Sequence, residues 1–304
     1  MREHVGVVPQ LGDFPGGAAG LVGSAAWLLA DTAPERFLGP AVLWAHRRNA
    51  SVVNIVSDAA TGVLARRAAA FAPVPLVWRV DGSRLFSASA TPHQANIPIT
   101  AELAEFATLM RSAGCDPVVE RGVLVGEVAG LEVCRALMDP YTGEHRVEVG
   151  VGVHDRDAFH QMHGTLPIDL ALAQVVASVA QHRRPGAAPH ALSRLASERL
   201  LRSRLIAEPQ LLGLRSLAPA DPPVERTNLK DPVPCVGVGF DHDDQLVTVV
   251  CSTGVDLDLI PFAADARALH GGRLMVVVPE RDAYPATRQV LGLLKVPASL
   301  VALP

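Results

Sequence analysis

The stretch RVEVGVGVHDRDAFHQMHG, residues 146–164, gathers His154, His160 and His163 with Asp155 and Asp157. Imidazole nitrogens and carboxylate oxygens are ligands that zinc and manganese accept, so a metal centre is one reading of this run. The H-x-x-x-H spacing of a helical zinc-protease motif is absent; Asp157, His160 and His163 instead recur every three residues. A second reading uses the same residues without a metal. Asp155 or Asp157 caps a short surface helix, and the histidines decorate its start.

Carboxylates stand just upstream. "GEVAGLEVCRAL", the turn "MDPYTGE" and "RVEVGVG" place Glu127, Glu132 and Glu148 on neighbouring strands, with Glu148 opposite Glu132. The preceding helix carries Glu102 and Glu105. Glu127, Glu132, Glu148 and His154 make up the candidate metal-ligand set. In order and pattern, residues 100–183 resemble the core of the PD-(D/E)XK, or restriction-endonuclease-like, nucleases: a helix, a three-stranded meander and a second helix. The resemblance implies Glu132 (or Glu127) at the first acidic position and Glu148 at the second, both catalytic, holding Mg or Mn against a scissile phosphate. The pattern departs at Gly150, which stands where the family's lysine belongs, and no lysine occurs in this region. Arginine stays protonated and is a poor substitute for a base. The resemblance therefore implies a degenerate core that binds nucleic acid or a protein partner without cutting. A metal-dependent nuclease with an unconventional base is the alternative. Strand alternation alone, with glutamates on the solvent side, accounts for the same residues.

Two further features bear on anions. Arg183, Arg184, Arg194, Arg199, Arg202 and Arg204 crowd into 22 residues with only Glu198 against them. Such a helix face would contact a phosphate backbone through salt-sensitive bonds. No aromatic residue interleaves for base stacking, which favours a solvated face or an Arg–Glu network to another subunit for the same residues. Ser252, Thr253 and Gly254, between a strand and a helix, form a small-residue loop whose N–H groups suit a phosphate or nucleotide. "VSDAATG" at 56–62 has the same character. Neither loop has Walker or G-x-G-x-x-G spacing, and turn chemistry explains both.

The elements that must position these groups follow from periodicity and breakers. Residues 1–99 form an N-terminal α/β segment: a Gly/Pro-rich lead-in, helices over about 19–30 and 34–48, strand "SVVNIVS", helix "TGVLARRAAAFA", and strand "PLVWRV" turning through Asp81-Gly82-Ser83. Residues 100–207 form the nuclease-like core plus the basic helix. Its first helix is capped by Thr100 and ended by Gly114; its strands are "PVVERGVLVGEV", "GLEVCRAL" and "HRVEVGVGV"; helices start near Pro167 and His190. Residues 208–234 read as a Pro-rich connector and 235–304 as a ββαβαβ segment. The expected fold is α/β, with mixed sheets flanked by helices in two lobes, one with a restriction-endonuclease-like α-β-β-β-α core. The β-α-β plan of "SVVNIVSDAATGVLARRAAAFAPVPLVWRV" returns in "RLMVVVPERDAYPATRQVLGLLKVPASLVAL". A duplication and the common form of any βαβ unit both produce that echo.

Composition bounds the rest. The chain has 304 residues, 49% of them hydrophobic and 19% charged, which is enough to bury sizeable cores. A net charge of −4 argues against a protein that coats DNA through global basicity. The longest apolar run, 19–30, falls short of the ~18–20 residues that span a bilayer. The start lacks a signal-peptide layout, and Cys115, Cys134, Cys235 and Cys251 form no CxxC pair. The expectation is a cytoplasmic protein with reduced thiols and no membrane contact. Nucleic acid, or a second copy of the chain, is its expected partner.

Overall fold

The computed structural model describes residues 10–95, 97–139, 142–152, 166–224 and 233–304. The described α-helices are α1 (Leu38–His46), α2 (Thr61–Ala68), α3 (Ala101–Ser112), α4 (Ile168–Arg183), α5 (Ala191–Arg194), α6 (Ser197–Ala207), α7 (Leu259–His270) and α8 (Pro285–Leu291). None is long and apolar enough to cross a membrane. The architecture is α/β, as expected, and the chain divides into two units: 1–94 with 254–304, and 95–253. The first unit is therefore discontinuous, and the expected C-terminal segment is shared between the two.

In the first unit, β1 (Gly12–Phe14), β2 (Gly17–Val22), β3 (Ala25–Ala30), β4 (Val52–Ser57), β5 (Leu76–Asp81) and β6 (Arg84–Ser87) form one sheet in sequential order. β3, β4 and β5 run parallel; the other pairs are antiparallel. The expected helix over 19–30 is thus a hairpin. Gly23 (φ 57) and Ser24 make its two-residue turn, and Gly20 pairs with Trp27 across it. Two-residue hairpin loops favour positive φ, and that local signal outweighs the run's apolar, helix-like content. The chain returns to this unit as α7, β14 (Arg273–Pro279), α8 and β15 (Ala298–Leu303), with β14 and β15 parallel. α7 buries every residue from Leu259 to Ala266, Asp265 included.

The second unit holds an antiparallel meander, β7 (Asp116–Glu120), β8 (Val123–Val128), β9 (Leu131–Met138) and β10 (His145–Val149), between α3 and α4. The expected three strands are four. Arg121 (φ 55) and Gly122 (φ 74) fold "PVVERGVLVGEV" into its own hairpin, giving an α-β-β-β-β-α order. Met110, Leu124, Leu131, Val133 and Leu172 fill the core between sheet and helices. Thr100 caps α3, accepting from the Leu103 N–H, and Gly114 (φ 92) follows its end. The basic helix is broken where Ala196 adopts φ 47, separating α5 from α6. β11 (Leu214–Ala220) lies within the expected connector and pairs antiparallel with β12 (Cys235–Asp241), which pairs with β13 (Leu246–Cys251). Pro219 is tolerated there because β11 ends the sheet order. The cysteines, distant in sequence, meet in twos. Cys115 and Cys134 are hydrogen-bonded, and Cys235 faces Cys251 in register; all four are buried and reduced.

The internal echo extends well past one βαβ unit. A single interval of 221 residues carries Ala25 to Leu246, Leu38 to Leu259 and Val52 to Arg273. These are the first residues of β3, α1 and β4, and of β13, α7 and β14. β3 and β13 are each the second strand of an antiparallel hairpin, and a short helix and a parallel strand follow each set. Phe71 and Leu294 occupy matching places after α2 and α8, and they meet in an antiparallel bridge. The Ala72 N–H donates to the Leu293 carbonyl and the Lys295 N–H to the Ala70 carbonyl, both at 2.9 Å. Exchanging 71 with 294 exchanges these two bonds, which is a local two-fold relation.

Candidate functional site

A charged cluster in the second unit is largely buried: Glu127, Arg199 and Arg202 lie inside and Glu120 is part-buried. Arg199 and Arg202, three residues apart on α6, share one helix face. They meet Glu120 at the end of β7 and Glu127 on β8. Arg199 donates from Nη1 to Glu127 Oε1 (2.7 Å) and from Nη2 to Glu120 Oε2. Arg202 donates from Nη1 to Glu120 Oε1 (2.6 Å) and to the Val236 carbonyl (3.2 Å), and Nη2 lies 3.4 Å from both Glu127 oxygens. Two carboxylates and two guanidiniums thus alternate in a neutral quartet. Burial pushes the Glu127 carboxyl above the usual carboxylate range, against the pull of Arg202 and Arg199. Gly130 lets α6 come this close: a Cβ there would stand 2.3 Å from the Arg199 carbonyl carbon and oxygen.

Glu127 and Glu132 face each other in the β8–β9 register, and both are buried. Like charges directly opposite repel, so each takes its own arginine. Glu132 accepts both bonds of a fork from Arg135, 2.8 Å from Nε and 2.9 Å from Nη2. Every carboxylate oxygen of Glu120, Glu127 and Glu132 therefore accepts from a guanidinium. Glu148 is not opposite Glu132. It pairs in register with Arg135, is part-exposed, and accepts from Arg146 at 2.8 Å. Among the described residues, no three His, Cys, Asp or Glu side chains are grouped to hold a metal ion. His154, with the other histidines of that run, lies outside the described residues.

The six arginines divide evenly. Arg184, Arg194 and Arg204 are exposed; Arg183, Arg199 and Arg202 are buried. Arg183 donates from Nε and Nη2 to the Ala129 carbonyl and from Nη1 to the carbonyls of Leu192 and Leu195. It ties the β8–β9 turn to the chain entering α6. Burial pulls its guanidinium down to about 10.

The anion loops are satisfied internally. The Gly254 N–H donates to Asp282 Oδ2 at 2.8 Å, so a carboxylate of the chain stands where an anion would. The Thr253 hydroxyl donates to Glu198 Oε1 (2.9 Å) and lies 2.7 Å from the Ser197 hydroxyl; Ser252 is buried. In the 56–62 loop, the Ser57 hydroxyl bonds to the Ala59 backbone on both its sides.

Sequence reasoning missed Glu120, hidden in what reads as one long strand, and missed a second buried cluster in the first unit. There Arg67 joins Asp258 (2.8 Å) to Asp265 (3.2 Å). Asp265 also accepts from Arg66 Nε and Nη2 and meets His93 Nε2 at 2.8 Å. The i, i+3 spacing of Arg199 and Arg202 was the one readable sign of an inward basic face. No family model matches the chain, and neither does any curated protein or solved structure.

Proposed function

We propose that this α/β chain is a non-catalytic interaction module that works through protein partners. The observation that carries this reading is the closed quartet. The carboxylates suited to holding a metal on the meander are saturated by the arginines suited to holding a phosphate. Opening that set would leave buried charges unpaired, a cost no weakly held ion offsets. Exposed apolar side chains on the second unit, among them Ile97, Met138, Ile168 and Leu170, offer protein-type contacts. The exposed Arg184, Arg194 and Arg204 favour a second reading, an anionic partner such as nucleic acid.

The test is incubation of the full chain with plasmid and with short single- and double-stranded DNA and RNA, in Mg²⁺ or Mn²⁺. No cleavage and no retention at low salt is the expected result. Cleavage that disappears in a folded Glu127→Gln variant would overturn the non-catalytic reading. Retention that weakens steeply with salt, and is lost on Arg184→Glu, Arg194→Glu and Arg204→Glu together, would move the assignment to nucleic acid.

A further inference from the structure

A buried cysteine is ordinarily a small apolar side chain and needs no further account. Cys235 and Cys251 differ because of where the backbone puts them. Cys235 is the first residue of β12 and Cys251 the last of β13, and the antiparallel register sets them directly opposite each other. Opposed residues on antiparallel strands have Cα atoms about 4.5 or about 5.5 Å apart, according to the kind of rung. Both separations fall within the ~4.4–6.8 Å that a disulfide spans. The other pair contrasts. Cys115 precedes β7 and Cys134 lies within β9, with β8 between them. Their sulfurs meet at Gly126, where a Cβ would stand 2.5 Å from Cys134 Sγ and 3.2 Å from Cys115 Sγ. Two strand spacings come to ~9–10 Å, beyond the ~7 Å above which a bridge requires backbone movement.

Position also decides which sulfur an oxidant meets. The Cys235–Cys251 rung ends the β12–β13 ladder, and the ends of an element open at least cost. Cys235 is 5% exposed and Cys251 0%, so a small oxidant reaches Cys235 first. The hydrogen bond with Cys235 and burial push the Cys251 thiol up, against the pull of Arg202. Arg202 is near because its Nη1 donates to the carbonyl of Val236, the residue after Cys235. A cation beside thiols is the setting of reactive rather than inert cysteines.

In the reduced chain the same residues hold the first turn of α6. Cys235 Sγ donates to the Glu198 carbonyl at 3.1 Å, and Thr253, two residues past Cys251, donates to Glu198 Oε1. A sulfur in a disulfide has no S–H to donate. Oxidation therefore removes one tie from the helix that carries Arg199 and Arg202.

We propose that Cys235 and Cys251 form a reversible dithiol–disulfide switch, oxidised by a peroxide, whose state sets how firmly α6 is held on β12 and β13. The Cys235 sulfur attacks one peroxide oxygen and the O–O bond breaks. Cys235 becomes a sulfenic acid, and the departing hydroxide leaves as water with the Cys235 proton. The Cys251 sulfur then attacks the Cys235 sulfur. The S–S bond forms, the S–O bond breaks, and the hydroxyl leaves as a second water with the Cys251 proton. Two thiols and one hydrogen peroxide give one disulfide and two waters, and an external dithiol reverses the change.

The folded full chain is exposed to hydrogen peroxide, alkylated, digested and read by mass spectrometry. The expected product is a linked peptide pair holding Cys235 and Cys251, cleaved by dithiothreitol, while Cys115 and Cys134 still take the alkylating reagent. Cys251→Ser removes the second thiol, so dimedone should label the sulfenic acid of Cys235 in that variant. Amide exchange in α6 should quicken on oxidation of the wild-type chain, and in reduced Cys235→Ala. Cys235→Ser keeps a donor for the Glu198 carbonyl and should leave α6 exchange unchanged. The linkage and exchange readings of the wild-type chain stand even if a variant fails to fold. A Cys235–Cys251 link that forms only in urea, or a Cys115–Cys134 link that forms first, would overturn the switch. Unchanged α6 exchange in the disulfide form would overturn its coupling to the helix.

Discussion

Asp258 and Asp265, at the start and in the middle of α7, share Arg67 yet titrate in opposite directions. Burial pushes the Asp258 carboxyl up to about 7 despite Arg67 and the Gly39 N–H. Asp265 is also penalised by burial, but Arg66, Arg67 and His93 together hold it below the usual carboxylate range. An acid raised on folding stabilises the fold most when protonated, and that contribution fades as pH rises from ~4 to ~7. An acid lowered on folding contributes above ~4 and loses the contribution as pH falls through its folded value. Urea unfolding near pH 5 and near pH 8 should show wild-type stability falling between the two by more than Asp258→Asn does; parallel changes would remove this assignment. The quartet makes a second prediction. Glu127→Ala leaves Arg199 and Arg202 with Glu120 as their one carboxylate partner, and it should cost about 3–5 kcal/mol by urea unfolding, the scale of breaking a buried pair. At this scale the sequence showed which groups were charged and clustered. It did not show that the acidic and basic clusters were each other's partners, because Glu127 and Arg199 lie 72 residues apart.

Among the elements, legibility followed the locality of the signal. Thr100, Gly114, Asp81-Gly82-Ser83 and the start of the helix after Pro167 were readable because caps and turns are decided within a few residues. The 19–30 hairpin, the split of "PVVERGVLVGEV" and the break at Ala196 were not. Each turns on a positive φ at a residue of ordinary appearance or at a glycine inside an apolar run. The β8–β9 turn shows what such a position carries. Gly130 has φ 79 and abuts the Arg199 backbone, whereas Gly143 has φ 73 and nothing within 4 Å of a built Cβ. Gly143→Ala should therefore lose only the backbone cost, about 1–3 kcal/mol. Gly130→Ala should lose clearly more, because α6 has to move. Equal losses by urea unfolding would show that α6 does not press on that turn.

For the molecule as a whole, the α/β class was legible from alternating periodicities, and the repeat was visible only as its shortest piece. Its full extent rests on the spacing between element starts and not on residue identity. The Phe71–Leu294 bridge gives that relation an energetic test. Phe71 is 1% exposed and Leu294 8%, so Phe71→Ala and Leu294→Ala should each cost ~2–5 kcal/mol in the same cooperative transition. If the two substitutions lowered the stability of different transitions, the bridge would not join one folding unit. The discontinuous first unit also has a consequence during synthesis. The chain sets down β1–β6, then makes all of residues 95–253 before α7, β14, α8 and β15 emerge. At ~5–20 residues per second, that interval is on the order of ten to thirty seconds. Throughout it, Phe71 lacks Leu294, its bridge partner, and Arg66 and Arg67 lack Asp258 and Asp265. The nascent N-terminal segment waits on the ribosome with the faces of α1 and α2 that take α7 and α8 still open, a stretch of translation in which a holding chaperone would have most to cover.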